Sequence, residues 1–225
     1  MAQTYEIEIK SLLGGKEKAD ALIEKMCELD SDVSCVSKNK QLNHYFVGDD
    51  LSVLVDAVAP LFDEDATARL KEIAEHVTEF SVRTRFKDGT VLFIVKASVD
   101  DTSSSNGISR VEFEEPVDLS LEELDSKILG AGFSYQAKWS REREEYVFRG
   151  ANVCMDKNAG YGYLAEFEKI VSDQSEIPSA QEELRAIMEE LGVEELPQER
   201  LERMFTHYNK NWEEYYGTDN TFVIE

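Results

Sequence analysis

Residues 5–13 read Tyr-Glu-Ile-Glu-Ile-Lys-Ser-Leu-Leu, and this stretch decides the fold prediction. Apolar and charged residues alternate with a period of two, which predicts a β-strand. Tyr5, Ile7 and Ile9 share one face. The other face carries Glu6, Glu8 and Lys10. Taken alone, this pattern fits any antiparallel strand that has one face in the core and one face in water.

The same kind of charged face recurs on later predicted strands. Arg83 and Arg85 oppose apolar neighbours, and Glu112 and Glu114 alternate with Val111 and Phe113. A third acidic pair on one strand face is Glu166 and Glu168. Eight basic residues belong to these strands or their ends: Lys10, Arg83, Arg85, Lys96, Arg110, Lys138, Arg141 and Arg143.

The free-energy cost of the recurring charged faces depends on whether they lie in water or in an enclosed cavity. In water they would be screened and contribute little. In a cavity, unpaired charges would be too costly, so acids and bases must interleave or a ligand must complete the pairing. Carboxylates in a Glu-x-Glu pair, about 7 Å apart on one strand face, suit divalent cations, and arginines suit phosphate oxygens. The pattern therefore favours a cavity that binds metal ions and a polyanion.

The rest of the chain predicts further strands and several helices. Helical spacing covers residues 16–29, 50–78 with a break near Pro60, 120–129 with a capping box, 180–191 and 199–216. The aromatic stripe of the last helix predicts a packing face, with a ligand lid as the alternative. Strands are predicted at 5–13, 43–47, 80–87, 90–97, 109–117, 133–138, 141–149, 151–156 and 163–172, with a polar loop at 100–107. This plan indicates an α+β protein with many antiparallel strands.

Composition limits the partners and the location. The 225-residue chain has a net charge of −23, which disfavours nucleic acid polymers and anionic membranes as partners. No apolar run is long enough for a transmembrane helix, and the first residues lack the features of a signal peptide. Three cysteines at no metal-ligand spacing favour reduced thiols. We therefore expect a cytoplasmic protein.

Several motifs occur in a distinctive order. Glu6-Ile-Glu8-Ile-Lys10 has the form ExExK, and Asn43-His44-Tyr45-Phe46 follows. The later motifs are Arg83-Thr-Arg85, Lys96, Arg110-Val-Glu112-Phe-Glu114, Lys138-Trp-Ser-Arg141-Glu-Arg143, Asp156 and Gly160-Tyr-Gly162-Tyr-Leu-Ala-Glu166-Phe-Glu168. Over residues 5–172 this order resembles the CYTH superfamily, the triphosphate tunnel metalloenzymes.

The resemblance implies a closed, antiparallel eight-stranded β-barrel with peripheral helices and a C-terminal helical extension. The barrel domain would span 1–175, with a helical insert at 48–78, and the extension 176–225. The insert and the extension would cover tunnel mouths or build a homodimer surface.

The resemblance also assigns roles to the charged residues. Metal ions, Mg²⁺ or Mn²⁺, would bind Glu6, Glu8, Glu166, Glu168 and Asp156. The triphosphate would bind Lys10, Arg83, Arg85, Lys96, Arg110, Lys138, Arg141 and Arg143. Lys10, Glu112 and Glu114 are the catalytic candidates.

Three functions fit this site. The first is a triphosphatase acting on inorganic triphosphate, a nucleoside triphosphate or thiamine triphosphate. The second is an adenylyl cyclase of the class IV type, which releases pyrophosphate. The third is a non-catalytic anion-binding module, which has no need for three Glu-x-Glu pairs. No catalytic triad or P-loop is evident, and we interpret His44 as a structural strand residue. The sequence favours hydrolysis, since hydrolysis requires only a cradle for the triphosphate.

Overall fold

The computed structural model describes residues 5–77, 79–98 and 110–225. Within these ranges the strands are β1 Tyr5–Gly14, β2 Cys35–Val47, β3 Phe80–Lys87, β4 Thr90–Ser98, β5 Arg110–Val117, β6 Ser134–Phe148, β7 Ala151–Asn158 and β8 Gly162–Val171. The helices are α1 Lys16–Leu29, α2 Leu51–Val58, α3 Glu64–His76, α4 Leu121–Gly130, α5 Ile177–Leu191 and α6 Gln198–Asn211. Short 3₁₀ turns cover Ala59–Leu61, Gln174–Glu176 and Trp212–Glu214.

All eight strands belong to one antiparallel sheet. Its strand order is β5-β4-β3-β2-β6-β7-β8-β1. The two end strands, β1 and β5, come together at one residue pair, Glu6 opposite Arg110. This arrangement confirms the predicted α+β class.

Two hydrophobic clusters lie on the outer face of the sheet, and a third extends to the inner face through Trp139 and Leu164. Ile7 and Ile9 of β1 are fully buried in a cluster that includes residues of α1 and α5. Helices α2, α3 and α4 form a second cluster with β3, β4 and β5, and α6 forms a third with β6. Because neighbouring residues on a strand point to opposite faces, the charged residues between these apolar positions turn to the inner face.

Local signals in the sequence are confirmed in several places. Asp88 and Gly89 join β3 to β4 with φ values of 50° and 88°, which fit a tight hairpin turn. Ser120 and Glu123 make both hydrogen bonds of the capping box at the start of α4. The insert breaks at Pro60 as predicted. The loop predicted at 100–107 lies outside the described residues.

Three element boundaries were predicted wrongly. β6 is one strand of 15 residues instead of two. It pairs with β2 along most of its length, and the pairing continues without a register shift through Trp139 and Ser140, where the prediction had placed a break. β2 begins at Cys35, eight residues before the predicted strand, because polar residues on both of its faces hide the alternation. Helix α6 ends at Asn211, where a 3₁₀ turn follows.

The structure also bears on membrane insertion and on the cysteines. None of the helices in the described ranges is long and apolar enough to span a bilayer. Cys27 and Cys35 are exposed free thiols, and Cys154 is a buried one.

Candidate active site

Residues of all eight strands and of α6 line one cavity of about 630 Å³. Strand alternation turns the charged residues of separate strands toward this common space. Twelve of the predicted site residues line it: Glu6, Glu8, Lys10, Arg83, Arg85, Lys96, Glu112, Glu114, Arg141, Arg143, Glu166 and Glu168. The charged faces noted in the sequence therefore converge in three dimensions.

Three of these residues form a carboxylate triad, Glu6, Glu8 and Glu168. One oxygen from each lies within 4.8 Å of the others. Antiparallel pairing of β1 and β8 places Glu8 directly opposite Glu168. Three carboxylate oxygens around one point suit a divalent cation that prefers oxygen ligands. The chemistry of this donor set fits the expected metal ion.

Lysines compensate the carboxylates on this side of the cavity. Lys96 lies 2.9 Å from Glu6 and 3.0 Å from Glu112, and Lys10 contacts Glu8. Burial alone would raise the pKa of Glu6, but the charge and hydrogen bond of Lys96 lower it below its usual value. Glu168 differs, because burial and the neighbouring Glu166 raise its pKa to about 7.

Deeper in the wall, Asp156, Arg143 and Glu166 form a buried charge network. Arg143 donates to both Asp156 oxygens, from Nε at 2.6 Å and Nη2 at 2.7 Å, and also contacts Glu166. Burial opposes the charge of Arg143, but these carboxylates raise its pKa well above the ordinary value. Burial would likewise raise the pKa of Glu166, which Arg143 and Lys10 hold well below its usual range.

This network corrects the prediction that Asp156 is a metal ligand. Asp156 has no exposed surface and is not among the residues that line the cavity. One of its oxygens also accepts a hydrogen bond from Arg141 at 2.8 Å. Since both oxygens already accept from arginines, Asp156 anchors guanidinium groups. Glu166 lines the cavity beside the triad but is not part of it, because Arg143 occupies one of its oxygens.

On the opposite wall, Arg83, Arg85 and Arg141 form an arginine cluster. The Arg83 guanidinium lies 4.8 Å above the centre of the Tyr45 ring, and its buried Nε has no hydrogen-bond partner among the described residues. Burial, followed by the charges of Arg83 and Arg141, lowers the pKa of Arg85 to about 10. At Arg85 the contact with Glu114 therefore does not offset burial and the two neighbouring positive charges, whereas Tyr45 and the carboxylates Glu112, Glu6 and Glu114 outweigh burial and raise the pKa of Arg83. The cluster is therefore suited to bind an anion.

Lys138 does not belong to the cavity, contrary to prediction. Its Nζ lies 4.2 Å from the centre of the Tyr135 ring and 5.8 Å from that of Trp212. The adjacent Trp139 lines the cavity, so strand alternation turns Lys138 to the outer face. Arg110 has its backbone opposite Glu6, but its side chain lies outside the part of the chain that the structure describes.

His44 also lies on the outer face. Its Nδ1 is 2.6 Å from Asp125, and its Nε2 is 2.8 Å from the Tyr216 hydroxyl. Asp125 further accepts hydrogen bonds from Thr84 and Tyr135. This position agrees with the structural role expected of His44.

The sequence interpretation missed uncharged residues of the cavity. Tyr45, Trp139, Tyr161 and Phe205 add an aromatic part to its lining. Burial would raise the pKa of Tyr45, but the nearby arginines, Arg83 foremost, lower it. Tyr45 and Trp139 had a usable signal, since each continues a period-two series of inner-face residues, on β2 and on β6 respectively.

The aromatic stripe of α6 is a packing face, as predicted. Leu201, Tyr208 and Tyr215 are buried in the cluster that α6 forms with β6. Leu201 and Phe205 line the cavity as well. Helix α6 therefore packs against β6 and also contacts the cavity, and the alternative of a ligand lid stays a prediction.

Comparisons with solved structures identify proteins of similar fold. The PH1819 protein of Pyrococcus horikoshii OT3 is 25% identical, with a TM-score of 0.59 over 85% of this chain and 92% of that one. The PH1012 protein of the same organism is 15% identical, with a TM-score of 0.58 over 84% and 91%. A proposed adenylate cyclase from Vibrio parahaemolyticus is 14% identical, with a TM-score of 0.60 over 92% and 99%.

Comparisons of sequence give one further result. No curated protein sequence matches this chain significantly. The CYTH domain profile matches residues 73–200, which is more than half of the 225-residue chain. The matched region contains the arginine cluster, the buried charge network and Glu168 of the triad. The chain belongs to the CYTH domain family.

Proposed function

We propose that this protein is a divalent-metal-dependent triphosphatase whose eight strands close into a tunnel around the substrate. CYTH family enzymes act on triphosphates and depend on metal ions. The substrate would be inorganic triphosphate, a nucleoside triphosphate or thiamine triphosphate. The metal would be Mg²⁺ or Mn²⁺, because both accept carboxylate oxygens readily. The free cysteines fit the cytoplasmic location that we propose.

One observation carries this proposal: a carboxylate triad and an arginine cluster with uncompensated positive charge at Arg85 line the same cavity. A triphosphate would bring its own negative charge to the arginines and share its bound cation with the triad. Arginine is well suited to this role, because its planar group donates to phosphate oxygens in pairs. A pure anion-binding module would not need the triad.

Different residues of the cavity would bind the phosphate groups and the metal ion. Arg83, Arg85 and Arg141 would hold the phosphate oxygens and the charge that develops during transfer. Glu6, Glu8 and Glu168 would hold the metal ion, which when bound neutralises phosphate charge. Glu112 and Glu114 would act indirectly, since they contact Lys96 and Arg85 respectively.

For hydrolysis, a water molecule attacks the terminal phosphorus, and the bond from that phosphorus to the bridging oxygen breaks. The water gives its proton to a phosphate oxygen of the substrate, and the diphosphate part of the substrate leaves with the electron pair of the broken bond. Lys10 contacts Glu8 and lies 3.5 Å from Glu166, so it is held beside the triad. In that position it would orient the attacking water.

An adenylyl cyclase is the second candidate, and the aromatic part of the cavity favours it. Trp139, Tyr161 and Phe205 lie in the same cavity as the charged residues. Aromatic faces of this kind can stack against a base. In that reaction the ribose 3′-hydroxyl attacks the α-phosphorus, and pyrophosphate leaves. Hydrolysis is preferred because it requires only the charged residues.

One assay tests both candidates. The purified protein is incubated with tripolyphosphate, ATP or thiamine triphosphate and with Mg²⁺ or Mn²⁺, and a matched sample contains a chelator. Orthophosphate, pyrophosphate and cyclic AMP are then separated and measured. Metal-dependent release of orthophosphate from any of the three compounds supports the triphosphatase. Cyclic AMP with pyrophosphate from ATP would replace it with the cyclase, and no product from any of the three compounds would overturn both.

A further inference from the structure

Three buried amide side chains line up on the inner face of β2. Asn39, Gln41 and Asn43 alternate with outward residues, and each is at most 6% exposed. Asn43 Nδ2 lies 3.5 Å from Gln41 Oε1, and Gln41 Nε2 donates to Asn39 Oδ1 at 2.7 Å. We call these three residues the amide ladder. They were not among the predicted site residues.

The amide ladder holds two members of the arginine cluster. Arg85 Nε donates to Asn43 Oδ1 at 2.8 Å. Arg141 Nε donates to Gln41 Oε1, also at 2.8 Å. In both arginines the anchored atom is Nε, at the base of the guanidinium group. The terminal nitrogens, which form the fork that recognises phosphate, are not used by the ladder.

The direction of the amide groups is fixed at the far end of the ladder. Asn39 Nδ2 donates to Glu145 Oε1 at 3.2 Å. An ionised carboxylate only accepts hydrogen bonds, so Asn39 must present its nitrogen to Glu145 and its oxygen to Gln41. Gln41 must then present its own oxygen to Arg141. The hydrogen-bond donors along the ladder therefore fix the orientation of each amide, so that Arg141 and Arg85 each face an amide oxygen.

Arg143 provides a contrast within the same cavity wall. Two carboxylates, Asp156 and Glu166, anchor it and neutralise its charge. Arg85 instead has a neutral amide at Nε, and its carboxylate contact is with Glu114 at 3.2 Å, whose side chain is 37% exposed. Arg141 shares Asp156 with Arg143 but takes its Nε acceptor from an amide. An amide oxygen can orient a guanidinium group without cancelling its charge.

We propose that the amide ladder positions Arg85 and Arg141 for phosphate binding without adding a negative charge at the Nε of either arginine. This inference rests on the proposed function, namely that the cavity binds a triphosphate. It assigns Asn43 and Gln41 as positioning residues, because they act on the ligand through the arginines. A carboxylate in either position would hold the arginine equally well but would compete with the phosphate for its charge.

The substitution Asn43→Asp tests this inference, because it keeps the shape and the acceptor of the side chain but adds a negative charge. We expect the KM for tripolyphosphate to rise about tenfold, as when one charge-assisted hydrogen bond to a ligand is weakened. The value of kcat should change less than about threefold, since binding rather than the chemical step is weakened. The melting temperature should stay the same or rise, because the new carboxylate relieves repulsion within the arginine cluster.

Gln174→Glu is the matched control. Gln174 is an exposed residue that does not line the cavity, so this variant adds the same charge without placing it on the amide ladder. Its KM should stay within about threefold of the wild-type value. Gln41→Glu is the second ladder variant and should repeat the result of Asn43→Asp at Arg141. It keeps the test decisive if Asn43→Asp does not fold.

The outcomes separate this inference from the proposed function. If the wild-type protein cleaves tripolyphosphate and folded ladder variants have wild-type KM values, the amide ladder has no such role and the proposed function stands. If affinity and melting temperature fall together, the ladder is only structural, which also overturns the inference. If the wild-type protein neither binds nor cleaves tripolyphosphate, the proposed function fails, and this inference fails with it.

Discussion

The two walls of the cavity neutralise charge differently. On the acidic wall, Glu8 contacts Lys10 of its own strand, and Glu6 contacts Lys96 of β4. On the basic wall, Arg83 has an unpartnered buried Nε, and the pKa of Arg85 is lowered to about 10 by burial and by the other two arginines. The acidic wall is balanced at Glu6 and Glu8 but not at Glu168, whose pKa burial and Glu166 raise to about 7, and the basic wall keeps uncompensated positive charge at Arg85. The comparison shows that each wall keeps one group whose charge a ligand would compensate, a cation at Glu168 and an anion at Arg85.

Removing a triad carboxylate should have the largest effect on activity. Loss of a residue that only supports a metal ligand already costs roughly 10- to 100-fold. We therefore expect Glu8→Gln to abolish triphosphatase activity, with a loss of more than about a hundredfold. Turnover is measured at rising Mg²⁺ concentrations. Glu142→Gln is the control, because Glu142 is an outward carboxylate that pairs with Lys40. Near-wild-type turnover of Glu8→Gln at saturating Mg²⁺ would contradict the role of Glu8.

The substitution Asp156→Asn should mainly reduce stability. It removes the charge that compensates Arg143 in a site with no exposed surface, and breaking a buried ion pair costs about 3–5 kcal/mol. The free energy of unfolding is measured by urea denaturation. The control Asp219→Asn breaks the exposed pair with Lys157 and should cost less than about 1 kcal/mol. Equal losses of unfolding free energy for the two variants would show that the buried network stabilises the protein no more than an exposed ion pair does.

Removing one arginine of the basic wall should weaken substrate binding and leave stability nearly unchanged, which is the reverse of the result expected for Asp156→Asn. Arg85→Gln should raise the KM for tripolyphosphate about 10- to 100-fold, since a charged hydrogen bond to the ligand is lost. Its melting temperature should not fall appreciably, because repulsion from Arg83 and Arg141 disappears with the charge. Arg185→Gln, at an exposed pair with Glu195, is the control. A large drop in stability with unchanged KM would reverse the proposed contrast between the walls.

The smallest effect concerns Asp125, a buried charge on the outer face. Burial would raise its pKa, but hydrogen bonds from His44, Tyr135 and Thr84 lower it below the ordinary value of 3.8. A lowered pKa in the folded state stabilises the protein above pH 3.8, and this contribution is lost as the pH falls through the folded value.

Because of this lowered pKa, Asp125→Asn should be less stable than the wild type at pH 7, and the difference in unfolding free energy should shrink below pH 3.8. Urea denaturation at several pH values measures this difference. The KM for tripolyphosphate, measured at neutral pH, should remain close to the wild-type value. A stability difference that is constant with pH would mean that the charge of Asp125 is not what matters.

Most of the charged site could be predicted because strand geometry is local. Glu6 and Glu8, and likewise Arg83 and Arg85, alternate with apolar residues, and this alternation alone places each pair on one face. Lys138 was placed wrongly because the strand was predicted to break at residues 139–140; along the continuous β6, alternation from Arg141 places Trp139 on the inner face and Lys138 on the outer face. Asp156 was predicted wrongly because its partners Arg141 and Arg143 lie on another strand and occupy its oxygens.

The sequence by itself determined which side chains share a strand face, since a side chain's face follows from a repeat of two residues. It also determined that acids and bases would have to meet a common ligand or each other. Only the tertiary structure decided which acid meets which base, because such contacts depend on the register between strands that are distant in the chain. That register brings Glu6, Glu8 and Glu168 together and places Asp156 against Arg143. It also places the amides of β2 against Arg85 and Arg141.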